Sequence, residues 1–177
     1  MNLNQKFGLY LLLSVLLTAG CVYKYGFTGG GLPPGIRTVA VLPFENLTSE
    51  PSLTQEIDRA VREALESRLG LRQAGEAQAD AIVRGTISRY DPDIPVGLAS
   101  TSQGAGQQNQ VSVTRRLVQI VVTVTIIDQL EERTLWERAG LVIDGEYNTE
   151  NEQEIRGRQR ALDRLIIQIV EGAQSQW

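Results

Sequence analysis

This chain of 177 residues contains no histidine and a single cysteine, Cys21, two of the side chains on which catalysis most often depends. Histidine is the usual general base and the commonest metal ligand, and its absence argues against most hydrolytic and metal chemistry. One cysteine cannot close an intramolecular disulfide, so packing alone must stabilise the fold. The sequence therefore predicts a protein that is not an enzyme and holds no metal or cofactor. Catalysis by carboxylates alone is the remaining enzymatic alternative.

The chain also begins with an apolar run too short to cross a bilayer. The run extends from Phe7 to Leu17, about 11 residues against the roughly 20 that a membrane-spanning helix needs. Lys6 precedes it and Thr18-Ala19-Gly20-Cys21 follows it, an arrangement typical of a signal peptide. Small residues before a cysteine resemble a bacterial lipobox, in which the thiol is diacylated, the signal removed and the new amino terminus acylated. An ordinary signal peptide with a free or buried cysteine is the alternative.

Lipidation at Cys21 would determine where the protein resides. Each buried methylene of an acyl chain contributes about 0.8 kcal/mol, so three chains hold a protein permanently on a membrane. Val22, not Asp, follows the cysteine, which by resemblance to proteobacterial sorting rules indicates the outer membrane. We therefore expect a signal peptide over 1–20, a lipidated Gly- and Pro-rich tether over 21–35, and one periplasmic domain over 36–177.

The charge of the chain restricts its partners. The formal net charge is −4, and removal of the signal peptide, whose only charged residue is Lys6, makes the remainder more acidic. A protein that binds nucleic acid usually carries a strong positive balance. We therefore expect no nucleic acid partner.

Hydrophobic periodicity predicts the element order β-α-β-β-β-α. Ser-x-x-Gln and Thr-x-x-Glu spacings, at Ser52 and Thr149, predict capping boxes that begin the two helices, and Gly70 ends the first helix. The predicted elements are a strand over 37–44, a helix over 52–69, strands over 79–90, 111–127 and 133–147, and a helix that ends at Trp177.

These elements predict an α+β fold, a two-layer sandwich. A right-handed crossover makes the first two strands parallel neighbours, and the later strands form an antiparallel meander. Each helix has one apolar stripe, so both should cover the same face of a four-stranded mixed sheet. Val122 and Val124 should lie buried on that face.

The segment from Asp91 to Gln110 is rich in Pro, Gly, Ser and Gln, and contains no lysine or arginine. This composition predicts a long loop, which usually indicates either function or disorder. Asp91 and Asp93 flank Pro92, and we interpret them as turn residues and not as a pair of catalytic acids.

Three arginines are the candidate binding residues. If the second and third long strands pair through the loop, Arg89 and the Arg115-Arg116 pair lie near the same end of the sheet. Guanidinium groups there could bind phosphate. The alternative is that these residues only keep an exposed strand soluble.

Short motifs throughout the chain resemble the lipopolysaccharide-assembly lipoprotein family (LptE). The motifs are Cys21 to Gly29, Leu32 to Val41, Phe44-Glu45-Asn46, Ala79 to Ile87 with Tyr90, Leu135-Trp136-Glu137 and the terminal Trp177. The resemblance implies a two-helix, four-strand sandwich that is not an enzyme. It implies docking with, and plugging of, the outer-membrane β-barrel that inserts lipopolysaccharide into the outer leaflet.

By this resemblance, Arg89, Arg115 and Arg116 are candidate contacts for lipopolysaccharide or for the partner. The loop from Asp91 to Gln110 departs from that expectation because it has no basic residue. A second class of lipoproteins also begins with Val-Ala-Val-Leu-Pro-Phe-Glu-Asn: periplasmic scaffold and secretion lipoproteins resembling the curli-export, TolB-like and cell-wall-synthase-activator groups. A scaffold role of that kind is the alternative function.

Overall fold

The computed structural model describes residues 32–33, 35–101 and 110–175. Cys21, the predicted signal peptide and most of the tether lie outside these residues, as does 102–109. The elements are β1 (Thr38–Val41), β2 (Glu45–Asn46), α1 (Ser52–Leu69), β3 (Arg72–Gln73), β4 (Ala81–Thr101), β5 (Gln110–Asp128), β6 (Arg133–Asn148) and α2 (Glu154–Ser175), with a short 3₁₀ turn at Glu76–Gln78.

The strands form one mixed sheet in the order β3-β1-β4-β5-β6, and β2 pairs with β4 beside β1. β1 runs parallel to β4, with Val39 opposite Ala81, whereas β4, β5 and β6 are antiparallel neighbours. The predicted α+β class and the mixed sheet are confirmed. The predicted count of four strands was too low, because β2 and β3 have two residues each and are too short to give a hydrophobic period.

One hydrophobic core lies between the sheet and the two helices. Val118, Ile120, Val122, Val124 and Ile126 of β5 are at most 1% exposed. They join the apolar stripes of α1 and α2 in a single cluster, so both helices cover the same face, as predicted. Burial of each such side chain contributes about 1.5–3 kcal/mol.

The helix ends are only partly as predicted. Gly70 ends α1 in the left-handed conformation (φ 67°), and its N–H donates to the carbonyl of Glu66. The capping box predicted at Ser52 does not form. The Ser52 hydroxyl donates to the Glu50 carboxylate at 2.7 Å, and α1 has no side-chain cap. The Thr149 hydroxyl donates to the carbonyl of Thr114, and α2 begins five residues later, at Glu154, so Thr149 does not begin the helix as predicted.

The predicted loop is wrong over 91–101, where β4 continues as a strand. Its last residues pair in register with the start of β5, from Leu98 opposite Val113 to Thr101 opposite Gln110. Irregularities between Asp91 and Ile94, and on either side of Gly97, accommodate prolines that favour a loop when judged by composition. Asp91 and Asp93 therefore lie within a strand and not in a turn.

β6 ends at Asn148, opposite Arg115, so β4 and β5 continue past it as a two-stranded ribbon. We call this ribbon, residues 97–101 and 110–114, the arm. Ala81, the first residue of β4, pairs with Val39 of β1 on one side and with Asp128, the last residue of β5, on the other. The point where the chain enters β1 from the tether and the β5–β6 turn therefore lie at the same end of the sheet. The arm lies at the other end, after roughly 65 Å of strand at 3.3 Å per residue.

Candidate functional site

A groove of about 590 Å³ lies next to the base of the arm, between the three long strands and the starts of the two helices. Residues from both helix starts and three strands surround it. The lining residues are Glu50, Tyr90, Pro92, Asp93, Arg116, Tyr147, Thr149 and Glu154.

One side of the groove joins the three long strands. The buried Tyr147 of β6 donates its hydroxyl to the carbonyl oxygen of Pro92 at 3.1 Å, and the Asp93 carboxylate lies 3.3 Å from the same hydroxyl. Arg116 of β5 forms an ion pair with Asp93. Burial, and then the neighbouring carboxylate, raise the pKa of Tyr147, and the bond to Asp93 raises the pKa of Arg116. Asp93 thus connects β4 to its antiparallel neighbour β5 and to β6, the next strand of the sheet.

The other side of the groove joins β4 to the two helices. Tyr90 donates its hydroxyl to the carboxylate of Glu154, in the first turn of α2. Burial and this bond raise the pKa of Tyr90 well above its usual range. The neutral phenol is therefore the form that holds the middle of β4 against α2.

Arg158 is the centre of this second network. Its side chain is only 12% exposed, and it lies within 4 Å of the carboxylates of Glu154, Glu56 and Glu50. It also donates to the Ser52 hydroxyl at 3.0 Å, and its guanidinium lies 5.9 Å from the centre of the Tyr90 ring. One arginine thereby ties the start of α1 to α2 and β4.

The groove holds paired charges and no activated nucleophile. Asp93 faces Arg116, and Glu50 and Glu154 face Arg158. The described residues contain no group of three or more acidic, histidine or cysteine side chains placed to hold a metal ion. The ion pairs and hydrogen bonds of the groove join β4, β5 and β6 to the starts of both helices, next to the base of the arm.

The three candidate arginines are not brought together. Arg89 lies opposite Val121, five strand positions from Arg116, which is about 17 Å along β5. Because side chains alternate along a strand, Arg116 shares the helix-covered face with Val118, whereas Arg115 shares the opposite face with Val121. The expectation that all three meet at one end of the sheet was wrong, because Arg89 lies in the middle of β4.

The three candidate arginines also differ in the groups they now contact. Arg116 already has the Asp93 carboxylate in the groove. Arg115 lies 3.9 Å from Glu146, and both side chains are more than half exposed, so this pair contributes at most about 1 kcal/mol. Arg89 is exposed. Arg115 and Arg89 are therefore the more accessible cations of the set.

Sequence reasoning missed the residues that build the groove. Tyr90, Tyr147, Glu154 and Arg158 come from three distant elements, and no short motif unites them. The spacing of Glu154 and Arg158, four residues apart on one helix, was the available signal. It indicates a local ion pair but says nothing of Tyr90.

The sequence of residues 36–174 matches the LptE family, whose description is lipopolysaccharide-assembly. The chain belongs to this family. The match spans nearly the whole described domain, and the family consists of non-catalytic assembly lipoproteins. Membership implies a role in lipopolysaccharide assembly and an outer-membrane lipid anchor. No helix in the part of the chain that the structure covers is long and apolar enough to span a membrane.

Several solved structures are similar to this chain, at low identity. A hypothetical protein, CT253 from Chlamydia trachomatis, has a TM-score of 0.50 and 10% identity over 78% of this chain and 98% of its own. The PelC dodecamer from Paraburkholderia phytofirmans has a TM-score of 0.46 and 13% identity, over 78% of this chain and 92% of its own. Lipoprotein GNA1162 from Neisseria meningitidis has a TM-score of 0.42 and 14% identity, over 75% of this chain and 96% of its own. The first likeness shows a shared fold and nothing more. No curated protein matches the sequence.

Proposed function

We propose that this protein docks with and plugs the outer-membrane β-barrel that inserts lipopolysaccharide, and that its arm enters the lumen of that barrel. The observation that carries the proposal is the position and composition of the arm. It projects past β6 at the end opposite the tether, and the sequence from Ile94 through Thr114 has no charged residue.

An uncharged ribbon suits insertion into a protein lumen. A charge buried without a partner costs several kcal/mol, so a segment that enters another protein is favoured when it carries none. Polar uncharged residues such as Ser, Thr and Gln can still pair with the polar interior that outer-membrane barrels have. The arm meets both conditions.

The predicted anchor is compatible with this orientation. The tether over 21–35 would span at most roughly 50 Å when extended, at 3.3–3.6 Å per residue. It joins the body at the end away from the arm. A lipid on Cys21 would hold the body beside the membrane while the arm stays free to enter a neighbouring barrel.

Arg115 and Arg116 lie at the base of the arm, where they would meet the rim of the partner. We assign Arg115 and Arg89, which share the uncovered face of the sheet, to contacts with lipopolysaccharide phosphates or with acidic residues of the barrel. Arg116 would serve the same role only by exchanging its Asp93 partner.

The experiment is capture of the barrel by an arm-shortened variant. Ala99 and Ser112 lie opposite each other, so Asn-Gly in place of residues 100–111 closes a two-residue hairpin turn. Asp128 and Arg133 are also opposite, so Asn-Gly in place of residues 129–132 is the matched control at the far end. We expect both variants to stay folded and lipidated, and only the arm-shortened one to lose at least tenfold of the captured barrel.

Equal capture by both variants would contradict docking through the arm. Recovery of a self-assembled ring or a cell-wall synthase in place of a barrel would support the scaffold alternative. Mass spectrometry of the native protein tests the anchor: an unmodified mature amino terminus, or normal processing and membrane retention of Cys21→Ser, would show that Cys21 is not the lipid site.

A further inference from the structure

The outer edge of β6 is closed by side chains of the last helix. The carbonyl of Asp144 accepts from Arg164 at 2.7 Å, and the carbonyl of Glu146 accepts from Arg160 at 2.6 Å. The N–H of Asn148 donates to the Glu152 carboxylate at 3.0 Å. These backbone groups would otherwise be free to pair with another strand. Over its last residues β6 therefore resists strand addition.

The outer edge of β4 is interrupted in a different way. Beyond its pairing with β2 it carries Pro92 and Pro95, which have no N–H to donate, and repeated register irregularities up to Gly97. Prolines and bulges are common devices that prevent an edge strand from pairing with another chain. The last residues of β6 and the part of β4 beyond β2 are thus both protected against strand addition.

The arm has neither kind of protection. Four consecutive residue pairs, from Leu98 with Val113 to Thr101 with Gln110, are in regular register. No charged side chain or proline occurs from Val96 through Thr114. Among the described strands, none pairs with the β6-facing edge of β5 beyond Arg115. The two irregularities that adjoin the arm place one extra residue on β4, Val96, and one on β5, Thr114, and both precede the regular pairs. The edge of β5 over Gln110–Val113 is therefore a regular, uncharged edge that the described strands leave open directly past the end of β6.

We propose that this edge of β5 binds an extended segment of the docking partner as an added strand, in line with β6 and past its end. Backbone hydrogen bonds carry the recognition, because the arm offers no charge for side chains to read. The segment is neutral along the arm and carries a carboxylate at the arm's base, where Arg115 is 59% exposed beside Glu146. The inference rests on the proposed function, since it names how the arm holds its barrel.

Amide hydrogen exchange, resolved by residue on the isotopically labelled full chain, tests the inference. The two samples are the free lipoprotein and the complex with the β-barrel that co-purifies with it. In an antiparallel ribbon every second N–H of β5 faces outward, and the others already pair with β4. We expect alternate amides within residues 110–113 to slow at least tenfold in the complex, whereas those of 98–101 facing away from β5 keep their free rates.

Each other outcome overturns the inference in a distinct way. A barrel captured with unchanged exchange over 110–113, or with uniform slowing of both strands, indicates enclosure without strand addition. Slowing that depends on lipoprotein concentration, with no barrel present, identifies a second copy of the chain as the occupant. Failure of the intact chain to capture a barrel contradicts the proposed function itself and, with it, this inference.

Discussion

Gly145 of β6 lies directly against Gly157 of α2, and a β-carbon on Gly145 would stand 1.9 Å from the Gly157 carbonyl oxygen. The helix can approach the strand this closely only because both residues lack a side chain. The contact seats the first turns of α2 on the sheet next to Tyr147, and so next to the groove at the base of the arm.

Gly145→Ala should therefore destabilise the domain by about 3 kcal/mol or more, because backbone atoms of α2 must move to admit the methyl group. Chemical denaturation monitored by circular dichroism measures the change. Gly35→Ala is the matched control, since among the described residues no atom lies within 4 Å of its added carbon. Similar unfolding midpoints for the two variants would show that the helix is not seated as described.

The two faces of β5 predict unequal effects of a charge. Val122 is fully buried, so Val122→Asp should cost several kcal/mol and unfold the domain. Thr123→Asp, on the partly exposed face, should cost about 1 kcal/mol, since Thr123 accepts only one exposed hydrogen bond, from the Gly140 N–H. Equal melting temperatures would mean that the faces are assigned the wrong way round.

The alternation of apolar and polar residues along β5 predicts these two faces. Regular patterns of this kind also explain which elements of the fold can be predicted from the sequence. Long strands with apolar even positions, such as Val118 to Ile126, and helices with one apolar stripe leave a strong period that survives in a single sequence. β2 and β3, with two residues each, are too short to show such a period. The extension of β4 was missed because Pro92, Pro95 and Gly97 indicate a loop by composition, whereas bulges and pairing with β5 accommodate them.

The candidate site was less accessible to sequence reasoning. The sequence indicates Arg116 as a binding cation, but it predicts a turn at Asp93, the residue that pairs with Arg116 in the structure. The position of such a partner depends on strand register, which composition does not encode. The Tyr90–Glu154–Arg158 network likewise depends on how α2 crosses β4. Of the three candidate arginines, Arg115 and Arg89 have exposed side chains that could still contact a partner.

The arginines that close the β6 edge give a third prediction. Arg160→Ala with Arg164→Ala exposes the carbonyls of Asp144 and Glu146, so we expect part of the protein to self-associate at micromolar concentrations. Light scattering after size-exclusion chromatography measures the mass. Arg59→Ala with Arg156→Ala removes the same charge from exposed helix positions that have no edge contact. Self-association of the control alone, or of neither variant, would argue against edge closure.

Glu152 gives a prediction for pH. Its bond to Arg160, and then the Asn148 N–H, lower the pKa of the Glu152 carboxyl to about 2. A carboxyl whose folded pKa lies below its unfolded value stabilises the protein above that unfolded value, near 4.3, and loses the contribution as pH falls towards 2. Melting temperature should therefore fall less steeply between pH 5 and 2 in Glu152→Gln than in the native protein. Arg160→Ala should make the melting temperature similarly less dependent on pH. Equal slopes of melting temperature against pH in the variants and the native protein would show that the Glu152–Arg160 bond does not set this dependence.

Site-specific photo-cross-linking in living cells tests docking through the arm most directly. A photoreactive residue at Val96, 39% exposed where β4 enters the arm, is compared with one at Leu130, 80% exposed in the β5–β6 turn. The account predicts that Val96 cross-links to the lipopolysaccharide-inserting barrel and that Leu130 does not, although Leu130 is the more exposed. Cross-linking of the barrel from Leu130 and not from Val96 would contradict it.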